Sequence, residues 1–385
     1  MSAKNFKAEK HRSSTGGDDD DDVNDSTSST TRPTKRQRGK DGAAVTTATA
    51  AAASAAPSTK RKSPRKQKED VVGEHESFSI TFGDQAENHA GMQKIGTAAQ
   101  RGFTVAELRA VAAAASGPVN IPETADKAVA AREAGKTFPL GGAEIVDLRA
   151  ALLNAKDRPP KLKDDDVPEA VVLVVRNGVD QLFGCKGIRN SVEAQVRAQH
   201  EDKRCLQRGK VVTKHARWNN CYGDASQDAD YANGRGTIIP FDHKDAGGLR
   251  EMRAKLPWLF AAAGPDAQAK AKQLVAETNH YYDTKKCGIG YHGDTERKIV
   301  ICARLGDSEH TPLAFQWFRE SRPVGPRIPI PALRHGDIYI MSEKAVGYDW
   351  KKKKILTLRH AAGAEKYFRT KPPADADNAG DDDES

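Results

Sequence analysis

Residues 279–296 read NHYYDTKKCGIGYHGDTE, with a His-x-Asp sequence at His292 and Asp294. In an extended strand, side chains two positions apart point to the same face, so this imidazole and this carboxylate can hold one metal ion together. A second histidine from a distant strand would complete a two-histidine, one-carboxylate ligand set, which leaves coordination positions open and suits ferrous iron. The segment therefore predicts a metal centre. The alternative is a polar turn before an edge strand, with both side chains in solvent.

The same segment resembles the AlkB-like family of Fe(II)- and 2-oxoglutarate-dependent dioxygenases. In that family an Asn-x-Tyr sequence and a turn precede an apolar residue and then Gly-aromatic-His-x-Asp-x-Glu. The chain matches this pattern in order and spacing at Asn279, Tyr281, Gly290, Tyr291, His292, Asp294 and Glu296. The resemblance implies Fe²⁺ as the metal, 2-oxoglutarate and O₂ as co-substrates, and contacts from Asn279 and Tyr281 to 2-oxoglutarate.

The remaining iron ligand must be a later histidine. In relatives it lies after a strand that follows a Gly-Asp turn, which matches Gly336-Asp337 and the predicted strand 338–341 here. His360 is the only histidine after that strand, so the resemblance favours it among the three candidates, which are His310, His335 and His360.

The family's C-terminal pattern gives two further expectations. Thr357-Leu358-Arg359 matches the end of the family's C-terminal pattern. If the two are aligned there, however, the spacing of the pattern places the distal iron ligand near Trp350, which cannot bind iron. Either the register differs and His360 is the ligand, or the metal site is incomplete. The resemblance also implies a cation for the far carboxylate of 2-oxoglutarate, and the planar fork of an arginine suits that role best. Arg369 is the candidate, with Lys366 in reserve.

Residues 208–224 are basic and aromatic, and they resemble the family's substrate-lid segment, in which Pro-Arg precedes Tyr-Gly-Asp. The proline is absent, but Arg217 precedes Tyr222-Gly223-Asp224. We expect Arg217 and Lys214 to hold phosphates, and Tyr222 or Trp218 to stack on an extruded base. Alternatively, both aromatics belong to the core and Arg217 pairs with Asp224. The lysine run 351–354 either guides a phosphate backbone or is a solvated edge.

The two ends of this 385-residue chain are more polar than its centre. Residues 1–76 and 372–385 are too polar to bury the apolar surface that would offset ordering entropy, so we expect disordered tails. Basic clusters at 35–40 and 60–68 are typical of nuclear import or nucleic-acid binding, or solubilise the tail. The net charge of +8 favours polyanionic partners.

The cysteine content and the length of the apolar runs indicate in which cellular compartment the protein is expected. The chain has five cysteines and no Cys-x-x-Cys pair, which argues against a disulfide framework and a zinc ribbon. Its apolar runs are too short to span a bilayer. We therefore expect a nuclear protein, also present in the cytoplasm, without a membrane partner.

Between the tails, the sequence predicts two regions. Residues 77–168 are predicted to form a helical accessory region and linker, with a strand at 77–82 and helices at 104–115, 122–134 and 143–153. Residues 169–371 are the predicted dioxygenase domain, where short strands separated by turns favour a β-sandwich or barrel. The resemblance implies an α+β fold with a double-stranded β-helix (jelly-roll) core and flanking helices. We expect a monomer.

The function implied by the resemblance is oxidative demethylation of N-methylated bases in DNA or RNA, with nucleic acid as the partner and DNA repair as the setting. Two other functions stay open. The same iron chemistry could hydroxylate a protein or a free nucleotide, or the chain could be a catalytically inactive relative that binds nucleic acid.

Overall fold

Two β-sheets share an apolar core in the part of the chain that the structure describes, residues 75–124, 126–127 and 140–370. The strands of this computed structural model are β1 Ser77–Gly83, β2 Gln85–Glu87, β3 Lys94–Gly96, β4 Ala143–Asp147, β5 Val171–Val175, β6 Arg204–Gln207, β7 Lys210–Thr213, β8 Trp218–Gly223, β9 Ile238–Pro240, β10 Val275–Tyr281, β11 Gly288–His292, β12 Val300–Gly306, β13 Leu313–Arg319, β14 Arg322–Pro329, β15 Ile338–Met341 and β16 Thr357–Gly363. The large sheet has the order β4-β5-β15-β12-β1-β10-β8-β9, and the small sheet has the order β11-β16-β13-β14. Two hairpins, β2-β3 and β6-β7, stand apart from both sheets.

Short helices flank the two sheets. They are α1 Val105–Ala114, α2 Leu148–Leu153, α3 Gly178–Phe183, α4 Ile188–Arg197, α5 Gly247–Lys255, α6 Pro265–Lys270 and α7 Glu343–Val346, together with 3₁₀ turns at Asp164–Asp166, Tyr231–Asn233, Leu256–Ala263, Ser308–His310 and Glu365–Phe368. Thr104 and Glu107 form a reciprocal capping box that fixes where α1 begins. The predicted α+β class with flanking helices is confirmed by this arrangement.

Alternation along β12 divides its side chains between two cores. Ile301, Ala303 and Leu305 pack in the core formed with the helices. Val300 and Cys302 face the other way and pack with the small sheet. Because side chains alternate along a strand, Arg304 shares the face of Val300 and Cys302 and points between the two sheets.

The strand predicted at 77–82 is present, and it lies at the centre of the large sheet. β1 pairs with β10, with Ser77 opposite Tyr281, and with β12, with Ser77 opposite Gly306. Residues 77–168 therefore do not form the separate helical region that was predicted, since β1 and β4 are both strands of the large sheet. The helix predicted over 143–153 is wrong in its first half, because Ala143–Asp147 pairs with β5 as a strand.

The predicted tails, their basic clusters and most of the helix predicted at 122–134 lie outside the described residues. Within the described ranges, every helix is too short or too polar to cross a bilayer.

Candidate metal centre

The three side chains predicted to bind iron converge at one end of the small sheet. His292 ends β11, Asp294 follows it, and His360 lies on β16; each offers one ligand atom, and these atoms lie within 4.8 Å of one another. The Oδ1 atom of Asp294 is 3.4 Å from Nε2 of His292 and 3.5 Å from Nε2 of His360. Two imidazole nitrogens and one carboxylate oxygen can together bind a divalent transition-metal ion.

Strand pairing and one glycine produce this convergence. β11 and β16 are antiparallel neighbours, and His292 lies directly opposite His360, with ring centroids 4.4 Å apart. At Gly293, the middle residue of His-x-Asp, a Cβ atom would lie 2.1 Å from the carbonyl oxygen of Gly347. Only glycine fits this close approach, which holds the turn against the segment after α7.

Hydrogen bonding orients His292, and burial favours the neutral form of His360. Nδ1 of His292 donates to the carbonyl oxygen of Gly290 at 2.8 Å, which directs the lone pair of Nε2 toward Asp294. Burial and the neighbouring His292 lower the pKa of His360. In His360 this lowered pKa favours the unprotonated nitrogen that a metal requires.

A buried arginine, Arg297, balances the carboxylates beneath the site. Its guanidinium donates to Glu277 and to Glu296, each at 2.7 Å, and lies 3.4 Å from Asp294. Burial raises the pKa of Asp294, but the Arg297 guanidinium and the two neighbouring imidazoles outweigh burial and hold that pKa well below its usual range. Asp294 is therefore ionised. Its Oδ2 atom faces Arg297, and its Oδ1 atom faces the two imidazoles.

A cavity of about 360 Å³ opens beside the three ligands. The predicted 2-oxoglutarate contacts Asn279 and Tyr281, on β10, line it together with Arg217. Asn279 is held at both ends of its amide, since its oxygen accepts from Nε of Arg217 and its nitrogen donates to Glu277 at 3.1 Å.

Three predicted site residues lie away from this cavity. Arg369 is exposed after the last 3₁₀ turn, in electrostatic contact with Glu365. Lys214 is buried and donates to Asn219, and burial lowers its pKa to about 8, so its ammonium does not face a phosphate. Tyr222 is fully buried in the core with the helices and cannot stack on a base.

The two remaining candidate histidines and two nearby charged residues have partners elsewhere. His310 pairs with Asp307, and His335 contacts Asn190, so neither reaches the metal centre. Asp224 pairs with Arg253 rather than with Arg217. Arg359 lies over the rings of Phe318 and Trp350, as expected for a side chain on the opposite face from His360.

Sequence reasoning missed two buried arginines of this region, Arg297 and Arg304. Both line the cavity, and their exposed fractions are 5% and 1%. A signal for Arg304 was available, because it interrupts the apolar run of residues 299–305 at a position that alternation assigns to the interior.

Comparison with known proteins gives one relative and no family model that matches the chain. Over 295 residues the chain is 37% identical to a protein of Acanthamoeba polyphaga mimivirus described as "Uncharacterized protein R156", and the match covers 76% of this chain and 98% of the viral protein. This identity extends over nearly the whole viral sequence. The chain therefore belongs to the same protein family as this mimivirus protein.

Proposed function

We propose that the protein is an AlkB-like Fe(II)- and 2-oxoglutarate-dependent dioxygenase that demethylates N-methylated bases in nucleic acid. The observation that carries the proposal is the meeting of His292, Asp294 and His360 at the wall of a cavity. The same cavity is lined by Asn279 and Tyr281, the pair that the resemblance connects with 2-oxoglutarate.

Strand order supports a jelly-roll core for this proposal. When the strands are counted from β10 to β16 and β1 is taken as the eighth, the large sheet contains the order 6-3-8-1 and the small sheet has the order 2-7-4-5. This is the order produced by the two Greek keys of an eight-stranded jelly-roll. In this chain the eighth strand would precede the other seven in sequence while keeping its neighbours in the sheet.

The residues present fit the proposed metal and co-substrate. Oγ of Ser79, which lines the cavity, has no hydrogen-bond partner among the described residues. Three protein ligands on one side leave positions open toward the cavity, as ferrous oxygenases require. When bound, Fe(II) with 2-oxoglutarate and O₂ supplies the oxidation that yields succinate and CO₂ and releases the methyl group as formaldehyde.

The chain's own residues orient and enclose the reactants. Gly290 fixes the tautomer of His292, and Arg297 fixes the rotamer of Asp294. Arg217 holds Asn279 in place across the cavity. Such positioning groups matter because small displacements of reacting groups cost large factors in rate.

Cationic side chains at the cavity favour a nucleic-acid substrate. Lys351, an exposed member of the lysine run, and Arg217 both line the cavity, where they would contact phosphates beside an extruded base. In this proposal the basic clusters of residues 35–40 and 60–68 serve nuclear import and substrate binding.

Replacing Lys351 with alanine is expected to weaken oligonucleotide binding similarly for all sequences, and to lower the slope of log K against log salt by about 1. The measurement is a fluorescence-anisotropy titration at several salt concentrations. Lys161→Ala, which removes an exposed lysine outside the cavity lining, is the matched control. If the slope of log K against log salt were unchanged in Lys351→Ala, Lys351 would not contact a phosphate of the bound oligonucleotide.

The direct test of the proposed function is a turnover screen. Single- and double-stranded DNA and RNA carrying individual N-methylated bases are compared with methylated peptides and free methylated nucleotides. We expect succinate and formaldehyde release that methylated oligonucleotides stimulate and unmethylated ones do not. Stimulation by peptides or free nucleotides alone would assign a different substrate. No turnover with iron and 2-oxoglutarate both bound would indicate an inactive relative.

A further inference from the structure

Arg304 is a cation buried between the two sheets, on the cavity-facing side of β12. Its exposed fraction is 1%, among the lowest of any charged residue in the described ranges. A buried charge is costly unless a counter-charge and hydrogen bonds compensate it. The groups that compensate the charge of Arg304, and those that are missing, therefore indicate which kind of ligand the side chain can bind.

The protein satisfies only part of this guanidinium. Nη2 donates to the carbonyl oxygens of Thr311 and Ser308, which ties one corner to the 3₁₀ turn after β12. Nε has no hydrogen-bond partner among the described residues. Within those residues no carboxylate forms an ion pair with Arg304, in contrast to Arg297, which has three acidic neighbours.

Residues with hydroxyl groups line the same cavity as Arg304. Ser79 of β1 lies directly opposite both Arg304 and Asn279 in the strand ladders, so the three side chains form one row across the cavity wall. The phenols of Tyr281 and Tyr339 line the same cavity. Burial raises the pKa of each phenol, so both phenols are neutral hydroxyl groups that can donate a hydrogen bond.

We propose that Arg304, with Ser79, Tyr281 and Tyr339, binds the far carboxylate of 2-oxoglutarate, and that Arg369 does not. The inference rests on the proposed function. An arginine fork and hydroxyl donors are the groups that bind a carboxylate with several charge-assisted hydrogen bonds. Arg304, Ser79 and Asn279 line the same cavity as the three candidate metal ligands.

The test measures binding to the full-length protein under anaerobic conditions, with Mn²⁺ in place of iron. Titration calorimetry compares 2-oxoglutarate with 2-oxobutyrate, which has the same keto acid end but lacks the far carboxylate. We expect wild type and Arg369→Gln to prefer 2-oxoglutarate by a large and equal factor. In Arg304→Gln we expect an affinity loss on the order of 100-fold for 2-oxoglutarate and little change for 2-oxobutyrate.

Two further measurements separate binding from folding. Mn²⁺ affinity of Arg304→Gln should match wild type, and the rise in Tm caused by 2-oxoglutarate should disappear. If this variant does not fold, Arg304→Lys replaces it; lysine keeps the charge without the fork, and we expect about a tenfold loss. The inference is overturned if the folded Arg304 variant still prefers 2-oxoglutarate over 2-oxobutyrate as wild type does, or if Arg369→Gln loses this preference. Either result leaves the proposed function intact. If wild type with Mn²⁺ bound takes up neither acid, the proposed function fails and the inference with it.

Discussion

His360→Ala is expected to abolish tight Fe(II) binding and, with it, turnover. The imidazole of His360 is one of three groups whose ligand atoms lie within 4.8 Å of one another, and two groups cannot provide the same chelate. Removing residues that merely support a metal ligand typically costs 10–100-fold in affinity, and we expect loss of the ligand itself to exceed about 100-fold.

The measurement is anaerobic titration with Fe(II) and 2-oxoglutarate, followed by the weak visible charge-transfer band of their chelate. His310→Ala is the matched control, because His310 is exposed and pairs with Asp307 away from the cavity. If His360→Ala shows a normal charge-transfer band, the third iron ligand is a residue other than His360. Circular dichroism of both variants checks that neither result reflects unfolding.

Arg297→Gln is expected to destabilise the fold by about 3–5 kcal/mol, because it leaves buried carboxylates without their cation. Burial works to lower the pKa of Arg297, but Glu296, Asp294 and Glu277 raise it well above its usual range, so the guanidinium is charged in the native protein. Glutamine restores some hydrogen bonds but none of the charge.

Urea unfolding monitored by tryptophan fluorescence provides the free energies for this comparison. Arg319→Gln, at an exposed position of β13, should change stability by less than about 0.5 kcal/mol. Arg297→Lys should lie between the two, since it keeps the charge but not the fork that contacts Glu277 and Glu296 together. Equal stability of Arg297→Gln and wild type would mean that the carboxylates are relieved in another way, for example by protonation.

Local sequence patterns predicted the three candidate metal ligands better than the residues around them. His292 and Asp294 share a short motif whose geometry follows from strand alternation. The family resemblance favoured His360 among three histidines, although its pairing with His292 across β11 and β16 is a long-range property. Arg297 and Arg304 were missed because their significance depends on partners, or on the lack of them, contributed by other strands.

The substrate-side predictions differed in outcome for a similar reason. Arg217, Lys214 and Tyr222 lie close together in sequence, yet only Arg217 lines the cavity. Tyr222 lies on β8 with its ring toward the helices, and Lys214 is enclosed beside Asn219. Which face of a strand meets the core depends on sheet packing, and a basic and aromatic composition does not specify it.

The central position of β1 affects the order in which the protein can fold during synthesis. Ser77–Gly83 leaves the ribosome long before β10 and β12, between which it is inserted. Until those partners emerge, a strand with one apolar face and both edges open must be kept from pairing with other chains. Nascent-chain folding should therefore be late and depend on chaperones, because the middle of the sheet joins segments that are far apart in sequence.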